Sequence, residues 1–462
     1  MRSAVGWAVA ALLLCACTPD GDTANAPSPS PPPSLTTAEP SPSSSSPPAE
    51  ATTRPLVLVT NARRPPIEVS EVVARSVLDG TVESWSDLGQ PAAPLRVVER
   101  SPARNLPMNT IAVEVGHAVG PGVRAIAVAG VDPIRSPARY PIQVQGPPPG
   151  RVTTVTLVGD IMLGRRVDGG QALAPMQDRL AVADLTVGNL ESTLSDAGAP
   201  NPVQGDPFHA DPDVRADLRA AGFDALSLAN NHTGDYGDLA LVQTVRLLRG
   251  AGIETFGAGP DLAAAREPVV LERNGVRFGF LGFNAIGETV EAGPGQPGAV
   301  SISMPPRTGP LDRAELERFL DDVRRLERRV DVVTVLPHWG DQYTNRPWPV
   351  QAPVARQLVR AGADLVVGGH PHWVQGASLV GDALVVHSLG NFVFDMDDPA
   401  VFGPETMEGL VLEATFWDDR LMAADFVPYR LGSDYAPRVV GREDATRIFD
   451  RFWEFSGLGA TR

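Results

Sequence analysis

The chain contains no lysine. All 39 basic residues among its 462 are arginine. That excludes a phosphate-loop lysine, a Schiff base and a Ser–Lys dyad. Cysteine is nearly absent: the two present, Cys15 and Cys17, lie within the first twenty residues. A disulfide framework, a thiolate zinc site and a thiol nucleophile are therefore excluded from the body of the protein. Cationic charge is scarce as well, with 39 Lys+Arg against 55 Asp+Glu, or −16 at pH 7. So acidic a chain is not expected to take nucleic acid as a general partner. No G-x-S-x-G occurs, which argues against a serine hydrolase elbow. Any metal must be held by His, Asp, Glu or Asn.

At about 150 residues per domain the length allows roughly two to three domains. The first 17 residues read as an address. A single Arg2 precedes an apolar run from Ala4 to Leu14, too short to span a bilayer as a mature helix. Leu14-Cys15-Ala16-Cys17 resembles a bacterial lipoprotein signal box, with Cys17 as the lipid acceptor. Residues 18–53, rich in Pro, Ser and Thr, cannot bury enough apolar surface to fold and read as a disordered tether. Lipid plus tether implies a location on the outer face of the cytoplasmic membrane, held by the anchor.

Residues 54–146 read as a small α/β accessory domain. "PLVLVT" is a strand, and "EVVARSVL" is a helix with Ser70 as N-cap and Gly80 as stop. "VLDGTVESWSDLG" and "VAGVDPIRSPARYPI" resemble parts of phosphate-type periplasmic solute-binding proteins. The Gly/Pro-rich stretch "QGPPPGR" links this part to residues 151–462, where strand and helix patterns alternate as in an α/β domain.

In that second part, polar residues follow apolar β runs. Asp160, Asn189, Glu191, Asn230, Asn231, His232, His338, His370 and His372 all do so. Carboxyl ends of strands line the ligand crevice of open α/β sheets, so these side chains are expected to converge. Imidazole, carboxylate and amide oxygen together suit Mn, Fe or Zn without selecting among them. Gly368-Gly369-His370-Pro371-His372 presents two imidazoles from one tight loop.

The ordered motifs "VGDIMLGR", "VGNLEST", "ANNHTGDYG", "PHWGDQY", "GGHPHWVQG" and "HSLGNFVFD" resemble CapA-type poly-γ-glutamate capsule synthesis proteins, a branch of the calcineurin-like metallophosphoesterases. The resemblance implies a four-layer αββα sandwich with one or two divalent ions at the strand ends. It further implies Asp160, Glu191, Asn231, His338, His370 and His372 as metal ligands. Glu191 stands nearest to a bridging anion. His232 would act on the leaving group and Asp235 would orient it. Asn189, Asn230, His387 and Asn391 are possible cleft residues. Two departures stand out: Met162 occupies the position of the first motif's histidine, and Gln342 that of a frequent glutamate. The function implied is a metal-dependent phosphoester hydrolase of the cell envelope, acting on an envelope polymer or phosphoester, with other capsule-synthesis proteins as partners. The alternative is a non-catalytic factor that binds or anchors the capsule polymer.

Overall fold

The computed structural model describes residues 52–99, 105–202 and 205–460. The signal segment, Cys17 and the tether up to residue 51 lie outside them. The first strand begins at Thr53, one residue inside the expected tether.

Two large sheets form the body of the protein. The first runs in the order Glu254–Phe256, Ala225–Ser227, Leu185–Leu190, Val152–Ile161, Glu408–Trp417, Arg420–Leu431, Pro437–Val439, with Asn391–Val393 also paired to Val152–Ile161. The second has the order Val269–Arg273, Val276–Asn284, Val332–His338, Leu365–Val367, Ala383–Leu389, Val374–Val380. In the first sheet the strands from Glu254–Phe256 to Val152–Ile161 run parallel and those from Glu408–Trp417 onward antiparallel; in the second the central strands are parallel and both margins antiparallel.

Period-2 alternation assigns each strand face to a different layer. In Val332–His338, Val332 and Leu336 enter the core between the sheets, whereas Val333 and Val335 enter the outer core. The strands are apolar on both faces because both faces are covered, as parallel sheets require. Helices Val214–Ala220 and Asp238–Gly250 cover the first sheet, with Leu218, Leu241, Val245 and Leu248 inward. Helices Arg313–Glu327 and Gln351–Arg360 cover the second. Asp312 caps the former by accepting from Ala314 N and Glu315 N, and its Leu316, Phe319, Leu320, Val323 and Leu326 form the apolar stripe. The architecture is therefore an α/β four-layer αββα sandwich.

The first part builds a five-stranded sheet, Arg96–Glu99, Thr110–Val115, Thr53–Asn61, Val123–Ala125, with Gln143–Gln145 on the start of Thr53–Asn61. Helix Glu71–Leu78, capped by Ser70, packs Ala74 and Val77 against Leu58, Trp85, Ile111 and Tyr140. The other side of this sheet is not free. Val57, Val59 and Ala112 share a cluster with Trp417 and Met422 of the late hairpin. Trp417 Nε1 donates to Ile134 O at 2.8 Å, and Arg124 pairs with Asp425 at 2.8 Å. Residues 51–462 accordingly form one compact unit.

Candidate metal centre

Parallel strands of both sheets end on the same side, and there the polar residues meet. Asp160 lies near the end of Val152–Ile161 and Asn189 within Leu185–Leu190, with Glu191 directly after it. Asn230, Asn231 and His232 follow Ala225–Ser227. His338 ends Val332–His338, and His370 and His372 follow Leu365–Val367. All nine are buried.

Their donor atoms form two groups with one shared member. Asp160, Glu191 and His338 offer atoms within 4.8 Å of one another, and so do Glu191, His370 and His372. Glu191 Oε1 and both ring nitrogens of His370 are buried without any hydrogen-bond partner. Orphaned polar atoms of this kind are costly unless something outside the protein satisfies them. The donor set, three imidazoles and two carboxylates, fits a divalent cation.

The electrostatics agree with that fit. Burial raises the Glu191 carboxyl well above its usual range, and the neighbouring charges of Asp160, Asp235 and Glu288 raise it further. Burial also lifts Asp160 to about 6. The imidazoles move the opposite way. Burial depresses His338 and His370 well below the ordinary value and brings His372 to about 4. Neutral imidazoles keep a lone pair free for a metal. A divalent cation would also relieve the crowding of carboxylates.

Outer contacts set the donors. Asn391 Nδ2 donates to Thr406 O at 3.1 Å, which turns its Oδ1 toward His372 Nδ1, 2.9 Å away. The His372 proton therefore sits on Nδ1, and Nε2 is left as the free donor atom. Asn189 Nδ2 donates to Asp160 Oδ1 at 2.8 Å. The backbone N of His370 donates to Asp160 Oδ2 at 3.0 Å. Gly369 makes that approach possible, since a Cβ there would collide with Asp160 Oδ1. His370 and His372 both sit at positive φ, 92° and 58°. Strain at two non-glycine positions of one short loop is characteristic of sites held for function.

His232 stands beside these groups and is buried as they are. Its Nδ1 lies 2.8 Å from Asp235 Oδ2, and its Nε2 lies 3.9 Å from Glu191 Oε1. The ring stacks on Phe208 at 3.7 Å. Asp235 also accepts from Phe208 N at 2.6 Å, so one carboxylate fixes both stacked rings.

Residues 154–396 match the family described as bacterial capsule synthesis protein PGA_cap, which is more than half of the chain. The chain belongs to this family. Every donor named above lies inside the stretch that defines it. The capsule biosynthesis protein CapA of Bacillus anthracis is 29% identical over 318 residues, covering 66% of this chain and 74% of that protein. The PGA biosynthesis protein CapA of Bacillus subtilis is 29% identical over 261 residues, covering 53% of this chain and 64% of the relative. Among solved structures, a phosphatase from Mycoplasma pneumoniae overlays with a TM-score of 0.38 at 12% identity, covering 60% of this chain and 94% of that one.

Not every expected residue joins the donors. Asn230 is spent on structure: its Oδ1 accepts from His232 N and Thr233 N, and its Nδ2 donates to Leu190 O. His387 lies inside strand Ala383–Leu389 with its ring 6.0 Å from Trp339, and it belongs to neither donor group. Met162 is fully buried in the apolar cluster under the outer helices, with Phe392 and Phe394. Its place two residues past Asp160 supplies packing rather than a nitrogen donor.

One residue of the site escaped the sequence reading. Glu288 Oε2 accepts from Asn231 Nδ2 at 2.8 Å, which leaves Asn231 Oδ1 2.8 Å from His338 Nε2. Glu288 thus decides which end of the Asn231 amide faces the donors. It sits at φ 66° in the loop after Val276–Asn284, with Arg307 Nη2 3.6 Å from its other oxygen. It lies past the end of that strand in a loop without periodicity, so no pattern in the sequence marks it.

Proposed function

We propose that this protein is a divalent-metal-dependent phosphoester hydrolase of the cell envelope, working in capsule or poly-glutamate synthesis. The observation that carries the proposal is Glu191, shared by two donor groups and flanked by the unpartnered nitrogens of His370. The biological setting is taken from the capsule and PGA biosynthesis named for the relatives.

Asp160, Glu191, Asn231, His338, His370 and His372 would hold one or two ions. A bound divalent ion supplies Lewis-acid activation of a phosphoryl group and of water. The remaining chemistry falls to the chain. Asn391 and Glu288 orient donors. Asp235 favours a proton on His232 Nδ1 and leaves Nε2 turned toward the donor groups, 3.9 Å from Glu191 Oε1, where it can exchange a proton with a leaving oxygen. Phe208 and the buried walls limit water around that ring. Cys17 is the lipid acceptor that keeps the working part at the outer face of the cytoplasmic membrane.

Elemental analysis of the purified chain, with hydrolysis of a generic phosphodiester in added Mn²⁺, tests the activity. One or two ions per chain and metal-dependent turnover are expected. Bound metal without turnover on any phosphoester would leave the polymer-binding role in its place. Membrane retention of a Cys17→Ala variant at mature size would refute the anchor.

A further inference from the structure

A groove of about 530 Å³ lies between the first part of the chain and the C-terminal helix Arg442–Glu454, away from the metal centre. That volume is ordinary for a ligand site. Arg63 and Arg64 enter it from the turn after Thr53–Asn61, and Arg442 stands at the start of the helix. Phe449 and Trp453 form its apolar wall, stacked at 5.8 Å.

None of these three arginines forms an ion pair with a carboxylate among the described residues. Arg63 donates to the carbonyls of Leu458 at 3.0 Å and Ser456 at 2.8 Å, and lies 5.5 Å over Trp453. Arg64 donates to Met108 O at 2.6 Å with its guanidinium 3.4 Å over the Trp85 ring. Carbonyls and rings hold these groups in place without cancelling their charge. Arg442 is exposed and makes no ion pair among the described residues. Arg124 and Arg179 also line the groove, but each is committed to a carboxylate, Asp425 and Glu413 respectively. Asp450 is the one acid on the lining. Partial burial of an uncompensated guanidinium is unfavourable, and lowers the basicity of Arg63 and Arg64. An anion seated in the groove would reverse that penalty.

We infer that this groove binds an acidic polyamide chain, a run of glutamyl carboxylates. Arg63, Arg64 and Arg442 would take the carboxylates and the Phe449–Trp453 wall the methylene stems. Guanidinium suits this task because its planar fork pairs with a carboxylate through two hydrogen bonds. Apolar walls suit a ligand whose charges alternate with aliphatic segments. The choice of polymer rests on the proposed function, and the need for an anion rests on the groove.

The test is binding of a fluorescent γ-linked glutamate decamer to the full chain, by anisotropy at two salt concentrations. Binding that weakens with salt is expected. Arg442→Glu should weaken it at least tenfold. Since Arg442 has no partner in the fold, the melting temperature should hold. Arg64→Gln should also weaken it, and His370→Ala should bind as the parent does. No binding by the parent, or unchanged binding by both arginine variants, would overturn the assignment. So would loss in His370→Ala alone, which would put the polymer at the metal centre. Tighter binding to anionic phospholipid vesicles than to the decamer would overturn it in favour of a membrane. Phosphodiester turnover is read separately on the unmodified chain, so failure of the hydrolase reading and failure of the groove appear in different measurements.

Discussion

Asn61 and His370 are both buried completely, and the protein treats them in opposite ways. Asn61 ends the first strand of the N-terminal sheet. Its Nδ2 donates to Leu106 O and, at 2.8 Å, to Gly459 O near the far end of the chain, while its Oδ1 accepts from Arg63 N at 2.8 Å. His370 stands in the loop after strand Leu365–Val367 of the second large sheet, and neither ring nitrogen has a partner. A buried polar group is tolerated when its bonds are made inside the protein, as for Asn61, or when a ligand from outside makes them. The first kind holds two parts of the chain together. The second kind marks a place kept open.

Five outcomes probe that contrast. The most severe is expected from His370→Ala: bound metal should be lost, and hydrolysis with it, while the melting temperature in chelator stays near the parent value. Elemental analysis and calorimetry read the two halves. A collapse of stability without metal would mean that His370 is a core residue after all. His232→Ala comes next. Turnover should fall about 10²–10⁴-fold, with metal content unchanged, because this ring stands beside the donor groups without belonging to either. Glu288→Gln follows, with metal affinity expected to drop about 10–100-fold, measured by competition with a chelating dye. The amide could then pair with Asn231 in either orientation.

The fourth outcome concerns pH in the absence of metal. Asp160 is raised to about 6 in the fold. A raised carboxyl contributes stability that is present below its unfolded value and lost as pH rises through the folded one. Between about pH 4 and 7 the Asp160 carboxyl by itself should therefore cost the metal-free protein on the order of 1–3 kcal/mol; the depressed imidazoles of His338, His370 and His372 act in the opposite sense, so the Asp160 share is read as the difference between the parent and Asp160→Asn. Saturating Mn²⁺ should abolish the loss, which melting curves with and without chelator would show. The smallest effect on function is expected from Asn61→Ala. It should cost about 2 kcal/mol by stranding two buried carbonyls, while metal content and turnover per folded molecule stay as in the parent. Denaturant unfolding measures the cost. Altered metal content in that variant would erase the distinction between the two kinds of buried group.

Much of the centre could be read before folding. Asp160, Asn189, Glu191, Asn231, His338, His370 and His372 share the simple property of following β-branched, apolar runs. The chemistry of ligand binding at strand ends does the rest. His387, a possible cleft residue, lies within a strand, because pairing with Val374–Val380 continues that strand to Leu389. Glu288 and Arg307 went unnoticed because a loop of glycine, proline and charged residues carries no period from which a facing can be inferred.

Local pattern was sufficient for the alternation of strands and helices and for the cap at Ser70, because each depends on neighbours in the chain. It was also sufficient for the donor types, since no lysine and no thiol remained to compete. Three features arose only on packing. Glu288 fixed the Asn231 amide, the N-terminal sheet settled on Trp417, and three arginines without ion pairs among the described residues met beside the last helix. Each joins residues tens to hundreds of positions apart. Side-chain partnership at that range is decided by which faces bury together, and periodicity along a single strand or helix specifies a face without specifying what will cover it.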